Sequence, residues 1–161
     1  MMQGAGREPG LPRPISRLLH RYWRFSRGVT LGVRAAAMDA DGRVFLVRHT
    51  YVPGWHLPGG GVEPGETALD ALTRELREEA SIELTGEARL HGVYLNTNAS
   101  DRDHVLVYVA RDFRVNGPKG RDREIAEAGF FPLGALPEGV TAATAARLDE
   151  IAGARPTAAV W

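Results

Sequence analysis

The stretch Gly60 to Ile82, GGVEPGETALDALTRELREEASI, constrains this chain more than any other part of it. Its glycines open a loop that can turn tightly and approach a ligand closely. Thr67 is placed to cap a helix, with Asp70 three residues later completing a capping-box-like pair. Leu69, Leu72, Leu76 and Ala80 recur at helical spacing and form the expected core stripe. The same helix carries Glu75, Glu78 and Glu79 within about one turn. At about 100° per residue these carboxylates fall within an arc of roughly 100°, beside the buried face. Like charges at this spacing destabilise a helix unless something compensates them. Hard divalent cations such as Mg²⁺ take oxygen ligands and bridge a few carboxylates to substrate phosphates. An isolated RELREE would instead read as a solvated face laced by pairs such as Arg74–Glu78. Joined to the glycine loop and to Glu66 at fixed spacing, the pattern favours a metal site acting on phosphates.

The segment resembles the signature of the Nudix (MutT-like) hydrolases, G-x5-E-x7-R-E-U-x-E-E-x-G-U, where U is apolar. Gly60, Glu66, Arg74, Glu75, Leu76, Glu78, Glu79 and Ile82 stand at the matching positions, and Ser81 replaces a glycine. The likeness extends to Leu57-Pro58-Gly59 and to Phe130-Phe131-Pro132 with Leu136-Pro137, and so covers residues 28 to 153. It implies an α/β fold, a Nudix-type α/β/α sandwich with a mixed β-sheet. It also implies hydrolysis, with Mg²⁺ or Mn²⁺, of a phosphoanhydride bond in a nucleoside diphosphate linked to another moiety. On the resemblance, the Gly60 carbonyl, Glu75, Glu78 and Glu79 hold the metal. Arg74 and Glu66 orient the catalytic helix by ion pairing. Glu124, ahead of Glu127 in EIAEAGFF, matches an extra acid that serves as metal ligand or general base. Asp101 and Asp103 are weaker candidates for that acid. Serine at position 81 either adopts a left-handed conformation, at about 1 kcal/mol, or ends the helix differently. The rival reading is a non-catalytic nucleotide-binding Nudix domain acting as sensor or scaffold. Such domains usually lose signature glutamates, and all are present here.

Composition limits the other options. At 161 residues the chain reads as one domain, with ordinary soluble-protein fractions of hydrophobic (43%) and charged (25%) residues. Zero formal net charge implies no bulk attraction to polyanions, so no stable nucleic-acid complex is expected, and the resemblance implies a nucleotide-type small molecule as partner. The absence of cysteine excludes disulfides, thiolate catalysis and cysteine-ligated metal centres. No apolar run approaches transmembrane length and no signal peptide is evident, which makes a cytoplasmic protein without membrane contact the default.

Residues 1 to 27 read as a basic arm with a short amphipathic helix at Ile15 to Phe25, and 154 to 161 as a tail. The arm either touches an anionic partner or packs on the domain or a second subunit of a homodimer, its arginines in water; the second reading is preferred. Thr30 to Met38 and Arg43 to His49 are expected as strands joined by a hairpin turn at Asp41-Gly42. Arg89 to Leu95, Val105 to Val115 and Phe130 to Pro132 follow as strands, and Thr141 to Ala152 as a helix ended by Gly153. His49, His56 and His104 lack metal-ligand spacing and are read as structural. No secondary signature selects a substrate: Thr97 stands where ADP-ribose pyrophosphatases carry proline, and Asn98, Ala99 and Ser100 where dinucleoside polyphosphate hydrolases carry tyrosine. Trp55, Tyr94, Asn96 and Asn98 either contact a base or serve core and turn.

Overall fold

The structure, a computed structural model, describes residues 28–161. The expected arm and its Ile15 to Phe25 helix lie outside the described residues. The elements are β1 (Thr30–Ala37), β2 (Arg43–His49), β3 (Trp55–His56), α1 (Ala68–Ala80), β4 (Ile82–Leu84), β5 (Arg89–Leu95), β6 (Asp103–Ala110), β7 (Phe113–Val115), β8 (Ile125–Pro132) and α2 (Ala142–Ile151). They form a mixed sheet in the order β1-β6-β5, an antiparallel sheet β3-β2-β8 and a small β4-β7 pair. In the first sheet β1 runs parallel to β6, and β5 antiparallel to it.

Period-2 alternation divides the strands between two core layers. Val33, Ala35 and Ala37 of β1 join Phe45 and Val47 of β2 against Ala71, Leu72, Leu76 and Ala80 of α1. Ala36, Val44, Leu46 and Val107 face the other way, toward Leu148 of α2, with Trp55 and Tyr94. A helix on each side of the strands is the α/β arrangement the sequence implies.

Four expectations need correction. The Asp41-Gly42 turn forms, with Gly42 at φ 75°, yet β1 and β2 do not make a hairpin. They separate into different sheets and share only the bridge Met38–Val44. The free edge of β1 is taken instead by the glycine loop, through Val33 N–H to Gly60 O (2.8 Å), Ala35 N–H to Pro58 O (2.9 Å) and Val62 N–H to Leu31 O (2.8 Å). Second, Leu69 is 48% exposed, and the buried stripe of α1 runs through Ala71, Leu72, Leu76, Glu79 and Ala80. Third, the expected Val105 to Val115 strand is broken at Arg111-Asp112, because its second half leaves the β1-β6-β5 sheet to pair with β4. The last strand is longer than expected, since all of Ile125–Pro132 is held by β2 apart from a bulge at Arg48/His49.

Candidate active site

The glycine loop is pressed against β1. Gly59 sits at φ 145°, and a Cβ there would collide with the Val33 carbonyl, so only glycine fits. A Cβ at Gly60 would run into the Glu75 carboxylate. The loop backbone and α1 therefore meet with no side chain between them. The Gly60 carbonyl accepts from Val33 N–H and keeps a second lone pair.

Helix α1 starts and stops where local chemistry dictates. Thr67 caps it, with both bonds of a capping box to Asp70 present. Ser81 ends it in the left-handed conformation at φ 55°, ψ 30°, its N–H bonded to Leu76 O. Of the two outcomes open for Ser81, the chain takes the strained one.

Arg74 fastens the helix to the loop. Its Nε donates to Glu66 Oε1 (3.0 Å), Nη2 to Glu66 Oε2 (3.1 Å) and to Gly61 O (3.1 Å), and Nη1 to Glu75 Oε1 (2.6 Å). These bonds, Glu66 first, raise the guanidinium above its ordinary value, and the same pair holds Glu66 below the usual carboxylate range.

The three glutamates occupy different environments. Glu79 is buried at 6% exposure, and its Oε2 accepts Gly59 N–H at 2.8 Å. The Glu75 side chain is 12% exposed and that of Glu78 is 61% exposed, 3.8 Å from Arg74 Nη1. Glu75 and Glu79 are about 40° apart around the helix, whereas Glu78 lies about 60° to the other side of Glu75. Burial pushes Glu79 up to about 7, with repulsion from Glu75 and Glu124 in the same sense; the Gly59 N–H and Arg34 oppose it.

Glu124 thus lies on the Glu79 side, in the loop before β8, where Thr50 N–H bonds its backbone carbonyl at 2.8 Å. Glu127 instead pairs with Arg48, its partner across the β2–β8 ladder. Asp103 is committed to structure, accepting from Thr30 Oγ1 (2.6 Å) and Asn96 Nδ2 (2.8 Å). Trp55 and Tyr94 are core residues at 7% and 0% exposure.

Sequence reasoning missed two neighbours of the carboxylates. Arg34 on β1 donates to the Leu57 and Gly59 carbonyls, and both Glu79 and Glu75 act on its charge. His49 ends β2 with Nε2 3.6 Å from Glu79 Oε1, and its Nδ1 is buried without a partner among the described residues. Burial, then the charges of Arg34 and His56, hold His49 below its ordinary value. The only hint for Arg34 was a guanidinium at an inward position of the otherwise apolar GVRAAA.

Among the described residues, no three acidic or histidine side chains are gathered into a ready cation cage. The reason is local: Arg74 holds Glu75, the Gly59 N–H holds Glu79, and Glu78 is turned to solvent. The donor chemistry fits a hard cation nonetheless, because buried Glu79 faces further carboxylates and, among the described residues, has no matching cation beyond half-buried Arg34, His49 being held toward its neutral form. Beside Arg34 opens a cleft of about 570 Å³, lined also by His56, Leu57, Asn96, Asn98 and Trp161.

A capped helix bearing these glutamates, fastened by arginine to a glycine loop on the edge of a mixed sheet, defines the class. The chain belongs to the NUDIX domain family, whose model matches residues 28–151. It is similar to the ADP-ribose pyrophosphatase of Methanocaldococcus jannaschii, at 32% identity over 104 residues, covering 63% of this chain and 61% of that one. It is also similar to the human 8-oxo-dGDP phosphatase, at 29% identity over 135 residues, with 80% and 40% covered. Among solved structures, the MutT NUDIX hydrolase from Burkholderia pseudomallei aligns with a TM-score of 0.65 at 30% identity, over 76% of this chain and 97% of that one. The chain spans about half the length of the curated relatives it matches. Among the described residues, no helix is long and apolar enough to cross a membrane.

Proposed function

We propose that this chain is a Mg²⁺- or Mn²⁺-dependent Nudix pyrophosphohydrolase that cleaves a phosphoanhydride bond in a nucleoside diphosphate linked to another moiety. The observation that carries the reading is Glu79: a buried carboxylate, anchored on a glycine-loop N–H, with the charges of Glu75 and Glu124 acting on it. A buried acid left partly uncompensated beside a cleft marks a functional position more often than a structural one. In this reading Glu75, Glu78, Glu79, Glu124 and the Gly60 carbonyl hold the cation. When bound, the ion neutralises phosphate charge and lowers the pKa of the attacking water. Arg74, locked to Glu66 and Gly61, sets the angle of α1 and so the positions of Glu75 and Glu79. Glu124 takes the water's proton or completes the metal set. Arg34 lines the cleft and feels the charges of Glu79 and Glu75, so it can attract the diphosphate and limit repulsion among the acids.

The catalytic domain on this reading is residues 28–153, with 1–27 as an arm and 154–161 as a tail. The enzyme is cytoplasmic, its partner is a small nucleotide rather than a nucleic acid or a membrane, and a homodimer is compatible with it. A substrate panel tests the proposal: dNTPs, ADP-ribose, NADH, nucleotide sugars, dinucleoside polyphosphates and capped RNA, each with Mg²⁺ and with Mn²⁺. Turnover of at least one, abolished by chelator and by Glu79→Gln, is expected. No turnover on any of them would return the chain to the sensor or scaffold reading.

A further inference from the structure

Residues 158–161 are stitched into the fold by a buried polar network that α2 and β5 build for them. Leu95 N–H donates to Ala159 O and Trp161 N–H to Leu95 O, each at 3.0 Å, so the segment adds a short parallel bridge to the edge of β5. Arg147 of α2 donates from Nη1 to Val160 O (3.0 Å) and from Nη2 to Glu150 Oε1 (2.6 Å). Glu150 also accepts from Ala158 N–H (3.1 Å) and from the Tyr94 hydroxyl (2.8 Å). Arg147 and Glu150 are only 2% and 5% exposed. Burying an ion pair brings little net stability, so such a pair is better explained by what it positions than by what it stabilises.

What it positions is Trp161. The indole meets the Tyr94 ring edge-on at 5.9 Å and has the Arg147 guanidinium 5.6 Å from its centroid. It remains partly exposed where it lines the cleft that also holds Arg34, Asn96 and Asn98. The polar side of this cleft is supplied as well. Asn96 spends its amide N–H on Asp103, and its Oδ1 is buried without a partner among the described residues, a state that a donor from water or ligand relieves. Arg34 lies in the field of Glu79 and Glu75 and also lines the cleft, so it links the carboxylates to the indole.

We infer that Trp161 is the base-binding residue of this cleft, stacking on the planar base of a nucleoside diphosphate whose phosphates lie toward Arg34 and the Glu75–Glu79 wall. The inference rests on the proposed function for the position of the phosphates. It adds the class of group that occupies the other end and the residue that selects it. Fixing a large aromatic by hydrogen-bonded backbone and a buried pair removes most of its ordering cost before the ligand arrives. Base–aromatic stacking contributes about 1–3 kcal/mol per base and tolerates different bases. A strap that recognises the ring rather than its hydrogen-bonding edge suits substrates with varied bases.

The test is equilibrium binding, which needs no turnover. The full chain in Mg²⁺ is titrated with the α,β-methylene analogue of ADP and, separately, with methylenediphosphonate, which lacks a base. Binding is followed by calorimetry and tryptophan fluorescence. The nucleotide analogue is expected to bind and to change the fluorescence. Trp161→Ala should weaken it about tenfold, in the range that loss of one stacked base predicts. Trp161→Phe should recover most of that loss, and methylenediphosphonate should bind all three proteins alike.

Equal nucleotide affinity in Trp161→Ala would overturn the inference. So would parallel loss of both ligands, which would make the indole a purely structural wall, or failure of the wild-type protein to bind the nucleotide analogue. Hydrolysis is read separately. A protein that binds the analogue through Trp161 and turns over none of the panel keeps this inference and loses the proposed function.

Discussion

Glu79 and Glu150 are the same residue type, buried to nearly the same degree at 6% and 5% exposure, and they titrate in opposite directions. Burial raises both. At Glu150 the Tyr94 hydroxyl, the Ala158 N–H and Arg147 together outweigh burial and leave the carboxyl below its ordinary value. At Glu79 one backbone N–H and Arg34 do not outweigh burial, joined by Glu75 and Glu124, and the carboxyl rises to about 7. The first site is an anchor whose partners are all in place. The second is held by the fold in an unfavourable state that a cation would relieve. Burial alone therefore separates nothing, and the count of partners does.

The sharpest way to break this comparison is to neutralise each carboxylate in turn. Glu79→Gln should lower kcat by about a hundredfold or more on a confirmed substrate by removing a ligand charge, with the fold intact. Glu150→Gln should do the reverse, costing about 3 kcal/mol of stability because Arg147 loses its buried partner. Denaturant melts and steady-state kinetics on both variants decide it. Near-wild-type turnover in Glu79→Gln would remove the metal assignment.

A second expectation concerns pH, with chelator present. Between pH 4.5 and about 7 the unfolded chain has released the Glu79 proton and the folded protein has not, so this contribution to stability falls as pH rises through that window. Glu150 has the opposite sign: its contribution is present above pH 4.5 and is lost as pH drops below it toward the depressed folded value. The fall in metal-free Tm toward neutral pH should therefore shrink in Glu79→Gln and persist in Glu150→Gln. Saturating Mg²⁺ should reduce it in the wild type, since a cation that binds only the folded state adds stability as its ligands ionise.

Smaller effects sharpen the first region. Glu124→Gln should reduce kcat more than Glu127→Gln, because Glu127 is committed to Arg48 across the strand pair while Glu124 acts on Glu79. The opposite ranking in kinetics would move the extra acid to Glu127. Smallest of all, Ser81→Gly should stabilise the fold by about 1 kcal/mol or less, relieving a serine at φ 55° with activity retained. A thermal melt showing a clear loss would mean that the Ser81 side chain contributes more than its backbone strain costs.

The sequence was legible wherever the deciding interaction is local. The capping box of α1 follows from neighbours within one turn, and the family resemblance pointed to the Glu66–Arg74 pair. Long-range choices were not readable. A turn at Asp41-Gly42 predicts a hairpin, but pairing depends on which edges compete, and the glycine loop and β6 occupy both edges of β1. Leu69 sits at a spacing that suits the core, but the position of the sheet beneath α1 rotates the buried face to Ala71 and Glu79. That rotation makes Glu79 differ from Glu78 although they are adjacent in the chain.

By itself, then, the sequence determined which acids stand on one helix and how that helix begins, because spacing and hydrogen bonds a few residues apart settle those, while the arginine that ties it to the loop came from the family resemblance. Only the tertiary structure decided which acid is buried, that Arg34 and His49 stand beside it, and that residues 158–161 bring Trp161 to the cleft. Those outcomes depend on desolvation and on contacts between segments distant in the chain, which no local pattern encodes.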